Sequence, residues 1–592
     1  MGFLMGTCGG QSQLDERTGA FEMGPAVEAG GLTSNPRTAS ATGNDHEKAR
    51  NERDRMDMRR IGKSSELKRC FKGFHLFAFA LILGNTSPWA FMSMVFSLTN
   101  GGTAGAIWMF VIVAVLMLFV VLSMAEMASM APTAGGQYRE QLGGSSREDS
   151  RADEKTDWVS EFAAPKFQKF MSYMAGWYAL LGWQTSLVGT ALAAAQLFQA
   201  VIVLYNPWFA SKGWIGTLIT IGLTCLATFI NVFAYKKLPI LEGFAIPLYV
   251  FVFIAMIAVF WVMGDRGGEA VFTTFSSNGW QNDSVSCMVG ILAPVITLIG
   301  SDSQAHLSEE TLDAARVVPR AMVATALANY SFGLASIVTA MCVLGPDIDA
   351  IRNTRTGVPV VELLLRTTGS VSATVVLTCL LGLLFVCCLT NNVTTASRQL
   401  WSFARDKGVP FHQYFSWVSP TKNTPMRSTV FTLLLTCVLS LFNTFSAVAL
   451  TTLTSLSLTG LISSYLLTVV AMLSARIRRA TLPPSRFDLG PVLGFMCNAV
   501  ALIFLCVVLV MMFFPTTPKP EPADMNWSVV MYGFVTVTML VFYFRRAKYI
   551  FDGPVTTVSS QWNTATSDDR TVSAPASVAL LKALFPKLAK IL

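Results

Sequence analysis

Two short polar stretches interrupt long apolar runs in this 592-residue chain: Gly84-Asn85-Thr86-Ser87-Pro88 inside "FALILGNTSPWAFMSM" (79–94), and Gly300-Ser301-Asp302-Ser303-Gln304 inside "SCMVGILAPVITLIGSDSQAHLSEE" (286–310). Gly and Pro weaken a helical ladder, and a break leaves amide and carbonyl groups without helix partners. Lipid cannot satisfy those groups, whereas a small polar ligand or a water-filled cavity can. Half-helix amino ends attract anions and carboxyl ends attract cations, so two such breaks suit a solute bearing a carboxylate, an ammonium, or both. Asp302 is the ionisable side chain of the pair. It would hold a substrate ammonium, carry a coupled proton, or accept hydrogen bonds from the freed amides. The competing reading is that each break is a kink used for packing alone. Glu126 and Glu242 also fall within apolar runs, near their ends, where each would act in coupling or simply meet water, Lys236 or Lys237.

The elements that must position these residues are membrane helices. The chain is 52% hydrophobic and 14% charged, against roughly 25% charged in soluble domains. Runs long enough to cross a hydrocarbon core of about 30 Å fall at 74–97, 105–130, 171–204, 214–234, 239–263, 286–305, 321–345, 371–391, 428–448, 450–474, 490–514 and 527–544. From Phe74 to Gly84 a helix rises roughly 16 Å, and from Cys287 to Ile299 roughly 20 Å, so each break lies near mid-depth. Lys and Arg gather in alternate loops, above all 391–427 and 475–489, which places the amino terminus inside. The first such helix then enters from inside and the sixth from outside, the pattern of an inverted-repeat secondary transporter. Residues 1–72 are expected to form a cytosolic tail with no signal peptide, 73–546 the helical domain, 139–157 a hydrophilic cytosolic insert, and 547–592 a second tail. Its end, 577–592, has helical spacing of Leu and Phe and would lie on the inner leaflet. The stretch 358–370 reads as an amphipathic helix on the outer surface.

Several blocks in order resemble a known family: "SLTNGGTAG" (97–105), "EMASMAPTAGGQY" (126–138), "WVSEFAAPKFQKFMSYMAGWYALLGWQ" (158–184), "HLSEETLDAARVVPRAM" (306–322) and "ASRQLWSFARDKGVPF" (396–411). They look like the fungal amino acid/choline/GABA permeases of the amino acid, polyamine and organocation superfamily. The resemblance covers about 70–550 and implies two five-helix inverted repeats plus two further helices, with substrate between the broken first and sixth. By it, Gly84, Asn85, Thr86 and Ser87 match the first broken segment, and Gly300, Ser301 and Asp302 the second. Trp183 and Gln184 match a pathway-lining element or pack helices. Glu309 and Glu310, with Arg316 and Arg320, match an inner-face motif whose ion pairs would close a gate, or a solvated loop helix. The 139–157 insert and the Ser beside Asp302 depart from the family pattern.

Other chemistries find little support. The four His (His46, His75, His306, His412) are well separated, with no His pair at metal spacing, and no P-loop or nucleophile elbow is visible. No cofactor is expected. Basic residues form no aromatic-interleaved stripe, which argues against nucleic acid. The sequence thus predicts an all-α membrane protein of twelve helices. It would import a small amine-bearing solute such as GABA or another amino acid with a coupling proton, most naturally at the plasma membrane, the vacuolar membrane being the other site. The alternatives are a choline or polyamine permease of the same fold, and a nutrient sensor that binds without transport.

Overall fold

The computed structural model describes residues 73–132, 158–344 and 354–551, apart from 165, 210–211, 235–236, 266, 420–423, 446–448, 481 and 522–524. The amino-terminal tail, the 139–157 insert and the helical stretch expected at 577–592 lie outside the described residues. The described chain is all-helical. In order it forms α1 (Gly73–Gly84), α2 (Thr86–Thr99), α3 (Gly102–Met130), α4 (Trp158–Phe162), α5 (Gln168–Tyr205), α6 (Gly213–Phe233), α7 (Leu238–Met263), α8 (Asp283–Val289), α9 (Leu292–Leu298), α10 (Ala314–Val343), α11 (Pro359–Thr368), α12 (Val371–Arg405), α13 (His412–Phe415), α14 (Met426–Ser440), α15 (Ala449–Ile477), α16 (Pro491–Met511) and α17 (Ser528–Phe542).

Among the described residues eleven helices, counting Gly73–Thr99 as one, are long and apolar enough to cross a bilayer, and a shorter apolar stretch runs from Asp283 to Leu298. The expected helix over 286–305 is therefore not one helix. Pro294 has no N–H to give the Gly290 carbonyl, so the chain bends there and Ser97 Oγ donates to that oxygen instead at 3.2 Å. The chain then leaves helical geometry at Ile299 and Gly300, and Ala305–Glu310 continues as a 3-10 turn rather than an α-helix. At the other extreme, α12 runs unbroken past the expected end at 391 to Arg405.

Burial separates the middle of the molecule from its rim. In the most apolar window of Gly73–Thr99, 83% of residues are buried, against 17% for Ser528–Ile550, so the first interruption sits at the centre rather than against lipid. The longest helix, α5, packs along both α12 and α15, while α2 packs on α9 and α10, and α10 on α3. Two glycines let α5 and α15 touch backbone to backbone: a Cβ on Gly460 would stand 2.7 Å from the Gly182 nitrogen. Phe229, Phe244, Phe251 and Ile503 point outward from α6, α7 and α16, as lipid-facing residues do. The amphipathic stretch at 358–370 forms α11, whose Val360, Val361, Leu363 and Leu364 are buried against α2, α7 and α12. It caps the bundle instead of lying in lipid.

Candidate functional site

The first break is one residue wide. Asn85 adopts left-handed backbone (φ 45°, ψ 39°), and Thr86, Ser87 and Pro88 already begin α2. A proline is tolerated there because the first turn of a helix needs no backbone donor. In a continuous helix the Ser87 N–H would bond to the Leu83 carbonyl. Here Ser87 N donates to Tyr249 Oη of α7 at 3.1 Å, and Leu83 O accepts from Cys388 Sγ of α12 at 3.1 Å. The Gly84 carbonyl has no helical donor at all, since Pro88 carries no N–H. The second break centres on Gly300, whose φ of +98° favours glycine.

The two breaks meet. A cavity of about 40 Å³ is lined by Gly84 and Gly300 together with Trp89 and Trp183, and a neighbouring void of about 10 Å³ is lined by Gly84, Thr86, Gly300, Ser301, Asn329 and Tyr330. The larger one has space for a few water molecules. Its far wall is polar but carries no charged side chain: Ser186 and Thr190 of α5, Asn392 of α12, and Thr454 and Ser457 of α15. Asn392 Nδ2 donates to Thr190 Oγ1 at 3.3 Å and Ser457 Oγ to Gly182 O at 3.0 Å, while the Thr454 hydroxyl has no protein partner.

The sequence-predicted residues divide around this cavity. Gly84, Thr86, Gly300, Ser301 and Trp183 line one void or both. Asn85 lines neither; it is fully buried, and neither atom of its side-chain amide has a partner. Ser87 turns away, its hydroxyl 2.7 Å from that of Ser336. Gln184 also turns away, donating to Ala396 O at 3.2 Å and Thr432 Oγ1 at 3.1 Å, so it joins α5 to α12 and α14. Asp302 stands behind Trp183. Trp183 Nε1 donates to its Oδ2 at 3.3 Å, the Tyr465 hydroxyl donates to Oδ1, and His306 Nε2 lies 3.6 Å from Oδ2. The His306 ring meets the Trp183 ring edge-on at 5.8 Å. All four side chains are buried.

The profile of the amino acid permease family matches residues 74–536. The chain belongs to that family. Its relatives include an amino-acid permease of Schizosaccharomyces pombe, 28% identical over 84% of this chain and 88% of the relative. The choline transporter of Saccharomyces cerevisiae is 26% identical, covering 78% and 80% of the two chains. The GABA-specific permease of the same yeast is 25% identical, covering 91% and 93%. Family membership makes the protein a multi-pass membrane transporter rather than an enzyme.

In this permease the end of the bundle richest in basic residues is tied by buried and half-buried ion pairs, not all of them the expected ones. Glu310 meets Arg398 Nε at 2.7 Å, whereas Arg316 and Arg320 are exposed; the Glu309 side chain lies outside the described residues. The extension of α12 beyond 391 is what carries Arg398 inward. Glu126 does not reach water. It is fully buried, paired with Arg476 Nη2 at 2.6 Å, and accepts from the Leu489 N–H at 3.3 Å. Asp313 pairs with Arg486 at 2.6 Å, and Ser129 Oγ accepts from the backbone of Arg486 and Phe487. The segment 482–490 thereby bridges the end of α3 to the start of α10. Glu242 is likewise buried on α7, beside Asn391, while Lys237 is exposed.

Sequence reasoning missed Tyr465, His306 and the polar wall. His306 has no second His at metal spacing, but the carboxylate four residues earlier, Asp302, is a partner in its own right. The run "TNNVTT" (390–395) was a visible signal that polar groups continue along one helix.

Proposed function

We propose that this permease is a secondary active transporter that imports a small amine-bearing solute, an amino acid such as GABA, by proton-coupled alternating access at the plasma membrane. The observation that carries the reading is the meeting of two interrupted helices, at Asn85 and Gly300, around one cavity. The Gly84 carbonyl, at the carboxyl end of α1, is an acceptor for an ammonium, and the amino end of α2 favours a carboxylate. The uncharged far wall offers hydrogen bonds to a polar group without adding net charge, which fits a zwitterion and disfavours a polyamine. At about 40 Å³ the cavity has space for only a few water molecules, so admitting a solute requires the broken helices to rock against α5, α12 and α15. The ion pairs Glu126–Arg476 and Glu310–Arg398 would be the contacts released when the cytosolic side opens.

In this reading Asp302 does not grip the ammonium directly. Its oxygens already receive Tyr465 and Trp183, so it holds Trp183 against the cavity and shares a coupled proton with His306. A second reading, transport of choline, is favoured by the two tryptophan rings in the lining, since an aromatic face attracts a quaternary ammonium. The test is a competition uptake panel of GABA, proline, lysine, choline and spermidine in permease-deficient cells at two pH values. The zwitterions should compete and uptake should rise at the lower pH. Competition by spermidine alone, or binding with no accumulation, would overturn the proposal, the second result in favour of a sensor.

A further inference from the structure

A second site lies at the basic end of the bundle, away from the cavity. Lys407, Phe411 and His412, from the turn after α12, face Phe542, Arg546 and Ala547 at the end of α17 across a shallow pocket. Two features set this turn apart. Lys407 and Phe411 both take left-handed backbone, φ 58° and 56°, which a bulky side chain adopts only under strain. The Phe411 ring is also 81% exposed, so the strain is spent on presenting a phenyl group outward. Across the pocket, Tyr543–Ala547 is a π-helical turn, a rarity found most often at functional sites.

Around it the side chains sort into two kinds. Tyr414, Phe544 and Tyr549 are exposed aromatics, and Arg427 lies 4.8 Å over the Tyr414 ring and 4.5 Å over Trp417. Arg545, Arg546 and Lys548 are exposed cations. Aromatic rings beside a cluster of cations at the end of membrane helices match the chemistry of the bilayer boundary: acyl chains below, phosphate above. Phe544 and Tyr549 are exposed, as are Phe534, Val537 and Val541 of α17, so the pocket adjoins an apolar outer face of the kind that meets acyl chains.

We propose that this pocket binds the phosphate headgroup of an anionic phospholipid, held by Lys407, His412 and Arg546, with Phe411 inserted beside the acyl chains. The site is independent of the solute cavity, and its basic residues identify the leaflet as the cytosolic one.

The test uses the full chain in nanodiscs of phosphatidylcholine with added phosphatidylserine or phosphatidylinositol 4-phosphate, and reads lipids retained after detergent exchange by native mass spectrometry. Wild type should retain the anionic lipids over phosphatidylcholine by about tenfold, as two or three screened cations allow. The Lys407→Gln/Arg546→Gln variant should lose that preference, and Lys407→Arg/Arg546→Lys should restore it. Arg316→Gln/Arg320→Gln, exposed cations on α10, should leave it unchanged. Equal loss in that control would overturn the proposal, by showing a diffuse field in place of a site. Full displacement by inorganic phosphate would assign the pocket to a free anion. Retention that appears only after removal of 552–592 would assign it to the chain's own tail. Either result would also refute a lipid site.

Discussion

Asp302 is the residue on which the account leans hardest, because a buried carboxylate with two donors on it and an imidazole beside it cannot be replaced silently. Asp302→Asn removes the charge that Tyr465 and Trp183 bind, and a hydrogen bond to a charged group is worth about 1.5–3 kcal/mol. Uptake should fall at least about tenfold with surface expression unchanged, measured as initial rate per labelled protein. His306→Gln should flatten the dependence of uptake on pH, with the loss largest at the lower pH, where the wild type is fastest; an unaltered pH profile would remove His306 from coupling. Thr454→Val keeps the shape of the far wall and deletes its unpartnered hydroxyl. It should raise KM about threefold to tenfold with little change in maximal rate. The chemistry at Asp302 was legible in the sequence as a charge where no charge should be. Its partners were not, since Trp183, Tyr465 and His306 come from separate elements whose facing one sequence does not fix.

At the scale of elements, a single residue separates α1 from α2. Asn tolerates left-handed backbone, Gly adopts it freely, and a β-branched residue pays about 1–2 kcal/mol. Asn85→Gly should therefore keep measurable uptake, whereas Asn85→Val should lose both uptake and thermal stability in detergent; the reverse order would mean that the break is not needed. Gly460→Val should separate α5 from α15 and lower the melting temperature, because no shift of a flexible side chain can relieve a clash with the Gly182 backbone. Eleven of the expected spans were readable from apolar length alone. The extent of the breaks was not: Pro88 looked like part of an interruption but sits in the first turn of α2, and Pro294 looked internal but splits α8 from α9. A proline's effect depends on how far it stands from a helix start, which hydropathy does not report. The long reach of α12 was hidden for a related reason, since its last turns are polar and read as loop until Arg398 is seen to meet Glu310.

For the whole molecule, the claim is that two interrupted helices form one site whose access is governed by ion pairs at the basic end. Removing one partner of a buried pair costs about 3–5 kcal/mol because the other charge is stranded. Arg476→Met should thus destabilise strongly, and Glu126→Gln/Arg476→Met should recover most of the loss, read as melting temperature in a double-mutant cycle. Additive losses would show that the pair is not a unit. The most direct measurement is a cryo-electron microscopy map of the full chain with the best solute from the uptake panel. The account predicts solute density bounded by Gly84, Gly300 and Trp183, with the chain non-helical at Asn85 and Gly300. Density elsewhere, or either segment running as an unbroken α-helix, would contradict it.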